Sequence, residues 1–293
     1  MESDIVDKMK HFTSIYTPEY LADLSKKCYE DDRMYPENFS NWYSHIIDFG
    51  KFRHADVVAN QVFTFEETEA MRDTDIIDKV DWKRINKILE PTISKMKPGR
   101  VYNIKNGAYS NKFDFNTSIA TADDLAKQLW LINYYSTMYD TGGYTELVVR
   151  EYIPYNKQVT PVIYNGMPLR EEIRVFYNLD TKQIEYIVDY WDYDYCEPNL
   201  HSKSDKIVFN WFHNKYGDRK DKHKNIFRII ENQIRKDMNT LKFDSGLNGI
   251  WSIDFMYVND MEEYEGIWLI DMARAHRSAY YDPNKLSGGK NNE

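Results

Sequence analysis

The 293-residue chain carries 38 Lys plus Arg against 47 Asp plus Glu, a formal net charge of −9, which excludes a generic nucleic-acid or anionic-membrane binder with its net positive face. With 42% hydrophobic and 15% aromatic residues, it has enough apolar material to offset the entropy of ordering, which excludes intrinsic disorder. Cys28 and Cys196, the only cysteines, make neither a disulfide framework nor a zinc cluster, so a reducing, cytoplasmic setting is expected. The acidic opening lacks the apolar core of a signal peptide, and no apolar run reaches the ~18 residues of a membrane span.

In chain order, helices are predicted over 18–29 and over 82–96, where Ile85, Ile88, Leu89, Ile93 and Met96 recur at helical spacing. Lys97-Pro98-Gly99 then breaks the chain. Short apolar or alternating runs predict strands over 101–104, 146–153, 172–177, 184–191, 250–258 and 267–272. A further helix opens at the capping sequence Thr121-Ala122-Asp123-Asp124 and runs through Leu125, Leu129 and Ile132. Another is predicted over 224–241, with Ile226, Ile230, Ile234, Met238 and Leu241 as a core-packing stripe. Strands beside helices without strict alternation predict an α+β fold with mostly antiparallel sheets. The basic stretch 203–224 reads as a solvated loop rather than a nucleic-acid contact, and His201, His213 and His223 fit no metal spacing. The acidic aromatic stretch 189–195 reads as a strand end with amphipathic side chains.

The most informative stretch is the pair of apolar strands carrying Asp254 and Asp271. Pairing Val258 with Ile267 encloses the loop 259–266 and sets Asp254 opposite Asp271 on one face. Directly opposite residues have Cβ atoms roughly 4.5–5.5 Å apart, so two carboxylates there repel and lose hydration. Mg²⁺ held jointly with substrate phosphates would relieve both costs. A shared proton, separate Lys or Arg partners, or a slipped register would relieve them equally well.

Two other strands carry candidate binding groups. Glu172, Arg174 and Phe176 alternate with Ile173, Val175 and Tyr177, so an acid and a base share one face. Glu172 could accept from ribose hydroxyls and Arg174 could meet a phosphate, although an exposed self-neutralising pair would look the same. Lys105 ends a strand and enters Asn106-Gly107-Ala108-Tyr109-Ser110-Asn111-Lys112, which suits a phosphate-covering loop or a plain solvated turn. The spacing is not that of a Walker loop. Nor does it match the Lys-x-x-Gly of covalent nucleotidyltransferases, because Gly107 follows Lys105 by two residues.

Together these motifs resemble an ATP-grasp domain, and among those the cell-division-cycle ATP-grasp family, the assembly chaperones of translation initiation factor 2. Phe39-Ser40-Asn41-Trp42-Tyr43, Ile104-Lys105 with Ser110 and Lys112, Leu147-Val148-Val149-Arg150, Glu172-Ile173-Arg174-Val175-Phe176 and Trp268-Leu269-Ile270-Asp271 carry the resemblance, scattered from residue 38 to about 278. It implies two α+β subdomains gripping ATP: 1–99 as an N-terminal mixed portion, 100–153 as the lysine-strand subdomain, 154–280 as the C-terminal subdomain, and 281–293 as a disordered tail. It further implies that Lys105, with Ser110 and Lys112, contacts phosphates. Arg150, Glu151, Tyr152 and Ile153 would line the adenine slot, and Glu172 would bind ribose. Asp254 and Asp271 would hold Mg²⁺, with Arg174 near the γ-phosphate.

One departure is plain: the family's Asp-x-Asn is here Asp271-Met272-Ala273, which removes an oxygen ligand. Arg274, Arg277 or Ser278 could supply other contacts. The resemblance implies an ATP-dependent ligase that activates a carboxylate through an acyl phosphate, with Lys105 and Arg174 as its catalytic cations. The alternative it implies is a non-ligating, nucleotide-dependent module that binds a protein partner. A covalent RNA-ligase-type nucleotidyltransferase is a further alternative.

Overall fold

Alternating runs rich in β-branched and aromatic residues favour a pleated, half-buried surface, and nearly every predicted strand forms. This computed structural model describes residues 16–72, 76–139, 144–214 and 220–286. Its strands, in chain order, are β1 (Ile46–Asp48), β2 (Arg53–His54), β3 (Val57–Val62), β4 (Tyr102–Asn106), β5 (Ile119–Ala120), β6 (Glu146–Glu151), β7 (Val162–Ile163), β8 (Met167–Pro168), β9 (Glu171–Asn178), β10 (Gln183–Asp189), β11 (Lys242–Phe243), β12 (Ile250–Val258) and β13 (Gly266–Arg274). A four-stranded sheet runs β3-β6-β4-β5, all antiparallel. A five-stranded sheet runs β10-β9-β12-β13-β2, antiparallel except for its last pair. The chain is therefore α+β with mostly antiparallel sheets.

Its helices are α1 (Pro18–Arg33), α2 (Phe39–Trp42), α3 (Phe65–Met71), α4 (Trp82–Ile93), α5 (Leu125–Met138), α6 (Tyr193–Cys196), α7 (Lys203–Asn214) and α8 (Lys220–Asp237). The stripe read over 224–241 does pack as core: Ile230, Ile234, Met238 and Leu241 are buried with Ile173, Val175, Trp251 and Ile253 of the five-stranded sheet. In the same way Ile85 and Leu89 of α4 and Leu125, Leu129 and Ile132 of α5 cover Ile104, Leu147 and Val149 of the four-stranded sheet. Each sheet thus buries one face under helices and leaves its polar face toward the other sheet.

The structure departs from the sequence reading in several places. Within the first hundred residues, β3 joins the four-stranded sheet and β2 the five-stranded one. Residues 203–214 form helix α7 rather than a loop, and Phe209 and Phe212, both 0% exposed, fill a third core with Trp191 and Leu200. Basic residues had masked that apolar face. Residues 281–286 are ordered, with Asp282 donating its amide to the Tyr186 hydroxyl at 2.7 Å, while 287–293 lie outside the described residues.

Another departure concerns register. β12 and β13 begin pairing at Val258 with Gly266, one residue earlier than expected, yet Asp254 still pairs with Asp271. A bulge restores the match: Phe255 faces Leu269, so Ile270 is the extra residue. The bulge also resets the alternation. Leu269 and Met272, three apart, share the buried core, and Leu269, Ile270 and Asp271 all border the space between the sheets.

Candidate functional site

The polar faces of the two sheets enclose a cleft with about 880 Å³ of free space, including its open mouth. Nine residues singled out in the sequence border it: Ser110, Lys112, Arg150, Glu151, Tyr152, Ile153, Glu172, Asp254 and Asp271. They arrive from β6 and its exit, the loop after β4, and the central strands β9, β12 and β13. The cleft exists because both sheets are one-sided, with buried helices behind and charged residues in front.

Lys105 and Arg174, the two cations expected to act on phosphate, stand behind the carboxylates rather than among the bordering residues. Lys105, 1% exposed, donates to both Asp271 oxygens at 2.9 and 3.0 Å. Arg174 grips Asp254 through Nε at 2.7 Å and Nη2 at 2.8 Å, and gives Nη1 to the Ala279 carbonyl at 3.1 Å. Separate basic partners are therefore how this structure settles the carboxylate pair. Burial pulls the Lys105 ammonium below its ordinary value, with Asp271 offsetting part of that. Burial alone would raise the Asp271 carboxyl, but Lys105 and Arg150 outweigh it and hold the group below the usual carboxylate range.

Arg150 spans the sheets differently. Its Nη1 donates at 2.7 Å to the carbonyl of Ile270, the bulge residue, and its Nη2 donates to Asn103 Oδ1 at 3.2 Å. Lys112 has a single polar contact, with the Tyr190 hydroxyl, and its ammonium lies 4.4 Å from the centre of that ring. Among the described residues, no carboxylate lies within ion-pair distance of Lys112. Glu172 is 4% exposed, and among the described residues its Oε2 accepts no bond of full hydrogen-bonding geometry, although the Trp191 indole is near enough to lower the carboxyl. Burial pushes its carboxyl up to about 7, against the opposing pull of Lys112.

Sequence reasoning missed the apolar wall and one anchor. Met167, Met256 and Leu269 border the cleft beside Ile153. Met256 sits two residues after Asp254 on one strand face, a signal that period-two alternation carried. Met167 comes from the β7–β8 hairpin and Leu269 depends on the bulge, so neither had a local signal. Arg170 grips Asp260 with Nε at 3.0 Å and Nη2 at 2.8 Å, and holds the Pro154 carbonyl at 2.6 Å. That cross-link ties the exit of β6 to the β12–β13 loop and so shapes the wall at Tyr152 and Ile153.

The residues after Asp271 are used elsewhere. Ser278 meets the Ser252 hydroxyl at 2.6 Å, Arg277 lies over the Tyr35 ring at 4.5 Å, and Arg274 over Trp251 at 5.3 Å. The Phe39–Trp42 motif is structural too: Phe39 and Trp42 are 1% exposed, and the Ser40 amide donates to Glu146 at 3.2 Å.

Asp254 and Asp271 offer hard oxygen donors of the kind that suits Mg²⁺ held jointly with phosphates. Among the described residues, no group of three or more Asp, Glu, His or Cys side chains is placed to hold a metal by itself. No described helix is long and apolar enough to cross a membrane.

No protein-family model and no curated protein matches the chain. Among solved structures it is similar to Cdc123 from Schizosaccharomyces pombe, with 14% identity and a TM-score of 0.43 over 82% of this chain and 83% of that one. It is similar to C-terminally truncated Cdc123 from the same organism with the same values.

Proposed function

We propose that the cleft binds a magnesium nucleotide, ATP by the resemblance of its motifs, in the manner of an ATP-grasp protein. The observation that carries this reading is the convergence on one cleft of an apolar wall, the buried acid Glu172, the cation Lys112, and two aspartates backed by buried cations. Ile153, Met167, Met256 and Leu269 would sandwich the base, and Glu172 would receive the ribose hydroxyls. Lys112, with no carboxylate at ion-pair distance among the described residues, would meet phosphate, with Ser110 beside it. Asp254 and Asp271 would hold Mg²⁺, which supplies charge neutralisation on the phosphates when bound.

Between the ligase and the nucleotide-dependent binding module, the geometry favours the binding module. Lys105 and Arg174 are both committed to aspartates, so neither is positioned to stabilise charge developing on a transferred phosphoryl group.

The test is the thermal shift of the protein with MgATP, with Asp254→Asn alongside. A ligand at ~100 times its dissociation constant stabilises the fold by about 2.7 kcal/mol. We expect that shift in the parent protein and a smaller one in the variant. Because removing the Asp254 charge strands the buried Arg174 at a cost of about 3–5 kcal/mol, the variant's shift is read against its own melt without nucleotide. No shift at millimolar MgATP would overturn the nucleotide reading. Steady phosphate release with a carboxylate and an amine present would replace the binding module with a ligase.

A further inference from the structure

Lys112 stands where two cavities meet. One is the cleft, and the other is an adjoining chamber walled by aromatic rings, among them Tyr164, Tyr190, Trp191, Tyr195 and Tyr280. The lysine lies on the loop that follows β4, and a lysine on a loop ordinarily samples many rotamers. Here one acceptor holds it: among the described residues, its ammonium donates to the Tyr190 hydroxyl. Glu172, Asp254 and Arg174 act on it through space. An ammonium has three N–H donors, so that bond leaves two for a ligand in the cleft.

Tyr190 is itself fixed on both sides. Its amide donates to the Glu172 carbonyl at 3.0 Å, and its carbonyl accepts from the Tyr280 hydroxyl at 2.9 Å. The next residue, Trp191, is 4% exposed and sets its ring edge-on to that of Tyr190, with 5.2 Å between the centres. Tyr280 has φ +68°, a left-handed backbone that bulky residues rarely adopt. Such a conformation persists only where its surroundings over-determine it. Here they do so through the bond to Tyr190 and a second one, from the Tyr186 hydroxyl to the Tyr280 carbonyl at 3.2 Å.

We infer that Tyr190 is a positioning residue, whose hydroxyl holds the Lys112 ammonium at the cleft in readiness for a phosphate. This rests on the nucleotide reading of the cleft. A mobile lysine has to be ordered when its ligand arrives, and ordering one long side chain weakens binding by about two- to tenfold. Tyr190 removes that loss in advance. Its bond need not break, because a phosphate takes the remaining donors. Were Tyr190 a packing residue alone, its hydroxyl would be idle and its loss would not depend on Lys112.

Calorimetric titration of the full chain with MgATP and with adenosine tests this on the parent, Tyr190→Phe, Lys112→Met and the double variant. Phe keeps the ring and its packing and removes the hydroxyl. We expect Tyr190→Phe to weaken MgATP by about threefold or more and to leave adenosine, which has no phosphate, unchanged. In the Lys112→Met background the same substitution should change MgATP binding by less than about 1.5-fold, because the hydroxyl then has no ammonium to hold. Where Lys112→Met binds MgATP too weakly to titrate, the comparison with adenosine decides. Equal weakening with and without Lys112, or equal weakening of MgATP and adenosine, would overturn the inference. An unchanged Tyr190→Phe beside a parent that binds MgATP would fault the inference alone. A parent that binds no MgATP would fault the nucleotide reading, and the inference would fall with it.

Discussion

Glu172 is the residue whose environment departs furthest from what its sequence position conveys. An acid two residues from an arginine on a strand reads as half of a surface pair, yet Arg174 is taken by Asp254 and Glu172 is left buried without an ion-pair partner among the described residues. Its folded-state value of about 7 lies above the ordinary 4.5, so the fold binds that proton more tightly than the unfolded chain does. The stabilisation is present below the unfolded value and is lost as pH rises toward 7. We expect Glu172→Gln to be more stable than the parent at about pH 8 and to lose most of that advantage at about pH 5, a change on the order of 3 kcal/mol. Thermal melts of both proteins across that range check it. A constant difference at all pH values would mean that Glu172 ionises normally.

Among elements, helices with a clear stripe were legible and those with an interrupted one were not. α8 shows the difference within one helix. Ile234 is 0% exposed against the five-stranded sheet, whereas Ile229 is 67% exposed. Ile234→Ala should cost about 2–5 kcal/mol, and Ile229→Ala should stay within about 0.5 kcal/mol, both measured by denaturant unfolding. Comparable losses would mean that α8 packs in another rotation. α7 was missed because its lysines and histidines dominate the local composition, while Phe209 and Phe212 bury only once the β7–β8 hairpin is in place. The hairpin of β12 and β13 was readable in its pairing of aspartates but not in its bulge, since an extra strand residue has no local sequence mark. Gly107 is the reverse case. Its small size is visible, but its reason is tertiary: a Cβ there would meet Asn38 Oδ1 at 2.2 Å and Glu146 Oε1 at 2.8 Å.

At the scale of the whole molecule, two polar ties among the described residues cross between the sheets: Lys105 to Asp271, and Arg150 to the Ile270 carbonyl. Lys105 is 1% exposed. Asp271→Asn should therefore destabilise by about 3–5 kcal/mol, because it leaves a buried ammonium without its counter-charge. The double variant Lys105→Met with Asp271→Leu should recover much of that loss, as seen by chemical denaturation of all four proteins. Additive losses would show that the tie does not couple the sheets.

Composition, alternation and spacing by themselves determined the α+β class, most strands, the main core stripes and the set of polar residues worth watching, because these follow from local periodicity. Which cation serves which carboxylate was decided only by tertiary structure. So were the freedom of Lys112 and Glu172 from ion pairing, and the aromatic chamber beside them. Those outcomes depend on faces from distant strands meeting across a cleft, where burial and charge act over distances that no window of sequence contains.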